Sequence, residues 1–165
     1  MCGMIFCSQY DNFATETFAV RENAFTGPIR DTFANFQSLI RADFTSNQFT
    51  GPLPSSIFDL PEIRLLYFGE NTLTGSIPEN FGRPEFLRDL YLYNNTLTGR
   101  VPDIQPGQLQ VFTEFRIEYN DITGTMPASI CALRGENRTD ELVTLRSDCA
   151  GDPPEIRCDC CTACF

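Results

Sequence analysis

Apolar residues recur along most of the chain at a fixed spacing from a repeated asparagine. The asparagines are Asn23, Asn47, Asn71, Asn95 and Asn120, separated by 24, 24, 24 and 25 residues. The clearest copy begins at Leu87 and reads L-x-x-L-x-L-x-x-N-x-L-T-G-x-V-P. A self-similar period in the twenties predicts a solenoid, because a coil with no apolar face to bury alone must stack on its neighbours.

Each copy alternates apolar and polar residues just before the asparagine, as at Leu90 and Leu92. A period of two predicts a short strand whose leucines point inward. Stacked coils place these strands in parallel, so we expect Leu66, Leu90 and Phe115 to lie opposite one another. Five coils at about 4.8 Å per strand predict a sheet about 20–25 Å long.

Other columns of the repeat have predicted structural roles. The asparagine amide carries donors and acceptors, so we expect it to satisfy backbone groups of its own and neighbouring coils. Glycines that suit a bend with positive φ are Gly27, Gly51, Gly75, Gly99 and Gly124. Prolines expected to prohibit helix and open the convex return are Pro54, Pro78, Pro102 and Pro127. Residues expected to fill the core beneath it are Phe33, Ile57, Phe81 and Ile130.

The phrase L-T-G-x-V-P and its counterparts resemble the plant-type extracellular leucine-rich repeat, over about residues 13–133. Receptor-kinase ectodomains, receptor-like proteins and polygalacturonase inhibitors use this wording. The resemblance implies an α/β-type, right-handed solenoid with a concave parallel sheet, a second short strand near T-G-x-I-P, and 3₁₀ turns or loops on the convex side. Two departures are Arg30 in a proline position and Gln105 in an apolar position, with an extra residue between Asp103 and Gln108.

The chain divides by pattern into a solenoid at residues 1–134 and a C-terminal cap at residues 135–165. The first residues align with the middle of a coil, and Met1 to Cys7 do not have the pattern of a secretion signal. We therefore expect the chain to be the C-terminal portion of a longer protein. The alternative is that residues 1–12 form an unusual cap, closed by Cys2 and Cys7.

The cap contains one more strand-like phrase, Val143-x-Leu145-x-x-Asp148, with Asp148 expected in the asparagine position. Its wording resembles the cysteine-rich caps of extracellular repeat proteins and is most similar to diatom members. Cysteines in or next to the cap are Cys131, Cys149, Cys158, Cys160, Cys161 and Cys164. They predict three disulfides, whose pairing the spacing does not choose. The alternative is a thiolate metal site. It is disfavoured because the chain has no histidine and because thiols oxidise in the extracellular compartment that the resemblance implies.

The net charge is −10 and the pI about 4.3. Nucleic-acid binding needs cationic side chains to neutralise phosphate, so this acidic chain is not expected to bind nucleic acid. No segment reaches the roughly 18 apolar residues that span a bilayer, so we expect no membrane insertion by this segment. Without histidine there is no triad and no ready general base near neutral pH. We expect no enzyme activity, no cofactor and no metal.

The concave face is the predicted binding surface, because its residues alternate with the buried leucines. The candidates are Asp43, Leu65, Tyr67, Asp89, Tyr91, Tyr93, Glu114, Arg116, Glu118 and Tyr119. Tyrosines and Leu65 occupy its centre, and acidic residues are expected to form an exposed rim. Tyrosine suits interfaces because it offers large area and a polar tip at small entropic cost. The alternative is that the tyrosines stack across strands simply to stabilise the sheet.

These features predict a non-catalytic recognition module, extracellular or at the cell surface, that binds a protein or peptide ligand. By resemblance, the parent is a receptor-like protein or a secreted inhibitor of wall-degrading enzymes. Carbohydrate binding is the first alternative, with Tyr67 and Tyr91 as platforms and Asp89 accepting sugar hydroxyls. A structural or ice-binding role is the second, although the outward columns are irregular and charged. Two N-x-T sequons, at Asn94 and Asn137, are glycosylation candidates.

Overall fold

The structure, a computed structural model, describes residues 15–135, 142–151 and 153–165. The expected partial coil at the N-terminus, with Cys2 and Cys7, lies outside these residues. The described strands are β1 (Thr17–Ala19), β2 (Thr26–Pro28), β3 (Arg41–Asp43), β4 (Gln48–Gly51), β5 (Leu65–Tyr67), β6 (Thr72–Leu73), β7 (Asp89–Tyr91), β8 (Thr98–Gly99), β9 (Glu114–Arg116), β10 (Asp121–Ile122), β11 (Gly124–Thr125), β12 (Thr144–Ser147), β13 (Ile156–Arg157) and β14 (Ala163–Cys164).

One parallel sheet, in the order β1-β3-β5-β7-β9-β12-β14, forms the concave face. Leu66 lies opposite Leu90, and Leu90 opposite Phe115, which confirms the predicted register. All three side chains are buried. Strands β12 and β14 come from the cap, so the sheet passes the expected boundary near residue 134 and has seven strands. At about 4.8 Å per strand it is about 29 Å long, longer than the five-coil estimate.

Short second strands follow the asparagine column, as the resemblance implied. They form three small parallel sheets, in the orders β2-β4-β6, β10-β8 and β11-β13. The convex side carries 3₁₀ segments at Phe33–Asn35, Ser55–Asp59 and Ala132–Arg134, and one helical turn, α1, at Ala128–Cys131. Within the described residues, no helix has the length and apolar character to cross a membrane.

The prolines open the convex return, but the expectation that they prohibit helix was wrong. Pro54 directly precedes the 3₁₀ segment Ser55–Asp59, and Pro127 directly precedes α1. Proline is tolerated at the start of a helix because the first amide groups have no intrahelical partner. The residues below the return are buried as predicted, and they are Phe33, Ile57, Phe81 and Ile130.

Each asparagine ties two coils together through buried backbone groups. The side-chain amide of Asn71 donates to the carbonyl oxygens of Phe44, Phe68 and Gly69 at 3.0, 3.1 and 3.1 Å. Its side-chain oxygen accepts from the backbone amide of Phe49 at 3.0 Å. Phe44 and Phe49 belong to the preceding coil, so one side chain satisfies groups in two coils.

The same contacts repeat along the column. Asn47, Asn95 and Asn120 each donate to one carbonyl of the preceding coil and accept one of its amides. Asn23 is exposed, and among the described residues it donates only to the carbonyls of Val20 and Arg21 in its own coil. The predicted structural role of the column agrees with these contacts.

The residue before each asparagine has a left-handed backbone, which the sequence did not reveal. The φ values are 54° at Glu22, 55° at Ser46, 57° at Glu70, 54° at Asn94 and 60° at Tyr119. This conformation is uncommon for residues with a Cβ atom. It recurs once per coil beside the asparagine contacts, so the asparagine network holds the bend. The five repeat glycines also have positive φ, as predicted.

The expected position of Asp148 was wrong. Leu145 lies opposite Phe115, so Asp148 stands two positions before the asparagine column. Its carboxylate accepts from the backbone amides of Tyr119 and Asn120 at 2.7 and 3.0 Å. A carboxylate offers only acceptors, and here it replaces the carbonyl groups that the next coil supplies elsewhere. Asp148 therefore ends the backbone ladder.

The fourth coil accommodates its extra residue by a local change of backbone. Gly107 and Leu109 have φ values of 91° and 53°. Leu109 and Ile104 are buried. Ile104 packs so closely on Gly82 that a Cβ atom there would lie 2.8 Å from its side chain. The polar Gln105 is therefore exposed, and its neighbours Ile104 and Leu109 fill the core in its place.

Three disulfides join the cap to itself and to the last coil. They pair Cys131 with Cys160, Cys149 with Cys164, and Cys158 with Cys161. The first connects α1 to the tail across 29 residues of sequence. Cross-links of this kind stabilise a fold mainly by restricting the unfolded chain.

Replacing Asn71 by alanine is expected to lower the free energy of unfolding by about 2–4 kcal/mol, because several buried backbone groups lose their partner. Urea denaturation measures this loss. The matched control is Asn23→Ala at the exposed end of the column, with an expected loss below about 1 kcal/mol. Equal losses at the two sites would contradict the inter-coil role of the buried amide.

Candidate functional site

Three tyrosines form the centre of the concave face, and we call them the tyrosine patch: Tyr67, Tyr91 and Tyr93. Tyr67 and Tyr91 lie opposite each other on β5 and β7. Their ring centroids are 4.6 Å apart, and those of Tyr91 and Tyr93 are 6.2 Å apart. All three side chains are half-buried. The sequence prediction that these tyrosines share one face agrees with this geometry.

Two arginines cover the ends of the patch. The guanidinium carbon of Arg41 lies 5.1 Å from the ring centroid of Tyr67. That of Arg116 lies 4.2 Å from the ring centroid of Tyr93 and 5.3 Å from that of Tyr91. Cation–π contacts at this distance are attractive. The five side chains therefore form one contiguous cluster, in which the tyrosine rings are tilted against one another.

Asp43 and Glu118 do not form the exposed rim that the sequence predicted. Arg41 pairs with Asp43 at 2.8 Å, and Arg116 pairs with Glu118 at 2.6 Å. The two carboxylate side chains are only 3% and 1% exposed. Each arginine stands two residues before its acid on the same face of the strand, so it folds over the acid and covers it. The acids act here by positioning the arginines.

Asp89 and Glu114 do reach the concave face, beside the tyrosine patch. The Tyr67 hydroxyl donates to Asp89 at 3.1 Å, and the Tyr91 hydroxyl donates to Glu114. Thr113 also donates its hydroxyl to Asp89, at 2.9 Å. Both carboxylates are half-buried. These hydrogen bonds fix the tyrosine tips as well as the acids.

A glycine makes room for the third tyrosine. A Cβ atom built on Gly69 would lie 2.6 Å from the ring of Tyr93, a distance that real Cβ atoms do not reach. The ring therefore packs directly against Gly69 of the neighbouring coil and also contacts Arg116. Any side chain at position 69 would displace Tyr93.

The remaining candidates lie at the margins. Leu65 lies beside Asp89 on the neighbouring strand. Tyr119 is 57% exposed, and its ring centroid lies 5.3 Å from that of Phe165 near the cap. The sequence interpretation did not single out Arg41, Thr113 or Phe165. The position of Arg41 in an outward column of the repeat could have identified it as a residue of the concave face. Phe165 lies outside the repeat, so the period gives no indication of its position.

The glycosylation candidates differ in what the structure describes. Asn94 is exposed. The hydroxyl of Thr96, in the same sequon, donates to the carbonyl of Leu73 at 2.8 Å. Asn137 lies outside the described residues. Glycosylation stays a prediction for both.

Among the described residues, no group of histidine, cysteine, aspartate or glutamate side chains is arranged to hold a metal ion.

The tyrosine hydroxyls are less acidic than usual. Burial raises the pKa of Tyr67, and the charge and hydrogen bond of Asp89 raise it further. Burial also raises the pKa of Tyr91, together with its hydrogen bond to Glu114. For Tyr93 burial again has the largest effect on the raised pKa. The patch therefore presents neutral phenols at every physiological pH.

Comparisons with known proteins support the fold. No family model and no curated protein matches the chain. The plant peptide hormone receptor RGFR1 in complex with RGF2 is 31% identical over 72% of this chain and 19% of that chain, with a TM-score of 0.68. The LRR ectodomain of the plant membrane receptor kinase GASSHO1/SCHENGEN3 from Arabidopsis thaliana, in complex with CASPARIAN STRIP INTEGRITY FACTOR 2, is 30% identical over 87% of this chain and 16% of that chain, with a TM-score of 0.70.

A plant ice-binding protein shares the fold alone, at 23% identity over 87% of this chain and 42% of that chain, with a TM-score of 0.68. The chain is thus a leucine-rich repeat solenoid that is similar to plant receptor ectodomains. It spans 19% and 16% of the two receptor chains compared above.

The tyrosine patch makes the free energy of unfolding depend on pH in the alkaline range. An unfolded tyrosine ionises near about pH 10, whereas the raised pKa values keep the patch tyrosines protonated beyond that pH. Above it the unfolded chain binds fewer protons than the folded one, so the free energy of unfolding falls as the pH rises. Ultraviolet absorbance of phenolate, with and without urea, measures the difference. The triple change Tyr67→Phe, Tyr91→Phe and Tyr93→Phe should remove it, and normal ionisation of the folded wild type would contradict the account.

Proposed function

We propose that this solenoid is a non-catalytic extracellular recognition module that binds a peptide or protein segment on its concave face. The observation that carries the proposal is the tyrosine patch, held between Arg41 and Arg116 by cation–π contacts. Large aromatic side chains and arginine dominate binding energy at protein interfaces. Ligands therefore meet a surface whose main anchors are already in place.

Preorganisation favours recognition over a purely internal role for the tyrosines. A side chain that is free in the unbound protein loses rotamer entropy when a ligand fixes it. Here the hydroxyls of Tyr67 and Tyr91 are tied to carboxylates, and Tyr93 is wedged on Gly69. Stacking across strands also stabilises the sheet, and the two roles are compatible. A face about 29 Å long accommodates an extended peptide of about nine residues.

The comparisons and the cysteines support the same assignment. The two receptors compared above were solved with RGF2 and with CASPARIAN STRIP INTEGRITY FACTOR 2. Three disulfides in the cap suit an oxidising, extracellular compartment. By this proposal the chain is a portion of a receptor-like surface protein, or of a secreted inhibitor of wall-degrading enzymes.

Carbohydrate binding is less well supported by the geometry. Sugar stacking uses an open aromatic face, whereas Arg41 and Arg116 cover rings of the patch. The hydroxyls of Tyr67 and Tyr91 already donate to acids. Ice binding is disfavoured as well, since the central outward column is irregular, with Ala19, Asp43, Tyr67, Tyr91 and Arg116.

Selection of a random dodecapeptide phage library on the immobilised protein tests the proposal. We expect selected peptides to lose at least about tenfold in affinity for the double variant Tyr67→Ala and Tyr91→Ala, because each tyrosine is an expected hot spot. The affinities are measured by biolayer interferometry with synthetic peptides.

The matched control is Phe86→Ala, which removes an aromatic that is 43% exposed and lies outside the concave sheet. Its affinity should equal that of the wild type. Peptides that bind the tyrosine variant as tightly as the wild type would place the site on another surface. A glycan array that gives tyrosine-dependent signals, with no peptide enriched, would favour the carbohydrate alternative.

A further inference from the structure

Two acids with the same charge lie directly opposite each other on the concave face. Asp89 on β7 and Glu114 on β9 are Cα partners in the parallel sheet, about 4.8 Å apart. The next partners in this row are Leu65 and Thr144, which carry no charge. Like charges directly opposite across neighbouring strands are destabilising.

No cation in the described part of the chain neutralises this pair. The nearby arginines, Arg41 and Arg116, are engaged with Asp43 and Glu118. Hydrogen bonds to Asp89 and Glu114 come from hydroxyl groups, which orient the carboxylates and leave their charge unchanged. The face therefore contains a negative site on β7 and β9, next to arginine pairs whose charges are already balanced.

We propose that Asp89 and Glu114 form an acidic seat for one lysine or arginine side chain of the bound peptide. This inference rests on the proposed function and names the chemistry of its ligand. The rings of Tyr67 and Tyr91 border the seat, and their hydroxyls reach its two acids. An aromatic border suits the apolar stem of a basic side chain, and the acids suit its charged end.

The seat takes a single basic side chain. Asp89 and Glu114 lie on adjacent strands, so two cations bound there would lie close together and repel each other. Asp43 and Glu118 are already paired with Arg41 and Arg116 and offer no second seat. The expected ligand is an extended peptide with one basic residue at a fixed position, flanked by neutral residues.

The first test uses the free protein. Glu114→Gln removes the like-charge contact and keeps an acceptor for the Tyr91 hydroxyl, so the melting temperature should rise by about 1–3 °C at low salt. The rise should shrink at high salt, where charges are screened. The control Glu85→Gln removes an exposed charge outside the sheet and should change little. A fall for Glu114→Gln, or a rise equal to that of the control, would overturn the like-charge argument.

The second test uses peptides selected from the dodecapeptide library. They should share one basic residue, and replacing it with glutamine should weaken binding at least tenfold. The protein variant with Asp89→Asn and Glu114→Gln should lose at least tenfold as well. The control variant with Glu79→Gln and Glu85→Gln changes the net charge equally, at exposed positions outside the sheet, and should bind normally.

Carbodiimide cross-linking locates the basic residue directly when the peptide carries lysine at that position and an acetylated N-terminus. All 12 basic residues of the chain are arginines, so it contains no lysine amine to compete with a lysine of the peptide. The cross-link should map to Asp89 or Glu114 by mass spectrometry. Cross-links that map elsewhere would overturn the seat.

The outcomes separate the two proposals. Peptides that depend on the tyrosine patch but share no basic residue would overturn the acidic seat and leave the recognition function standing. If no selected peptide depends on the tyrosine patch, the proposed function fails and the acidic seat fails with it. Loss of binding in both charge variants alike would indicate attraction to the overall charge of −10, and would also overturn the seat.

Discussion

The asparagine amides are the interaction on which the rest of this fold depends. A coil of about 24 residues has too little apolar surface to fold alone, so its bend must be fixed by neighbouring coils. Asn71 meets this requirement by bonding buried carbonyls in two coils and accepting an amide from the earlier one. It also sits beside a residue, Glu70, whose backbone is left-handed. Where the column stops, the carboxylate of Asp148 accepts the last two amides and closes the ladder.

The concave face inherits its order from this stacking. Because each coil repeats the last, side chains on β5, β7 and β9 stand in rows, and the rows bring aromatic rings, arginines and acids into contact. Arg41 and Arg116 neutralise their own acids and cover the tyrosines, whereas Asp89 and Glu114 receive only hydroxyl hydrogen bonds. The surface is aromatic, hydrogen-bonded at two tyrosine tips and locally unbalanced in charge. The proposed recognition function rests on this surface.

Periodicity made the strands, glycine bends and core positions predictable, because each is set by spacing alone. Leu66 and Leu90 lie opposite each other for that reason. Side-chain arrangement was harder to predict: Asp43 is covered by an arginine on the same strand, a contact that depends on rotamers and not on the column. The strand of the cap was predicted two residues out of register, since its sequence has no asparagine to mark the bend. Its pairing added two strands to the face.

Native-state hydrogen exchange tests the central claim most directly. The amides of Phe49, Leu73 and Leu97 donate to the asparagine side chains of the next coil. If these contacts hold the coils together, the three amides exchange only in the global unfolding reaction, with the slowest amides of the sheet. Exchange as fast as that of the surface loop at 103–108 would contradict the account.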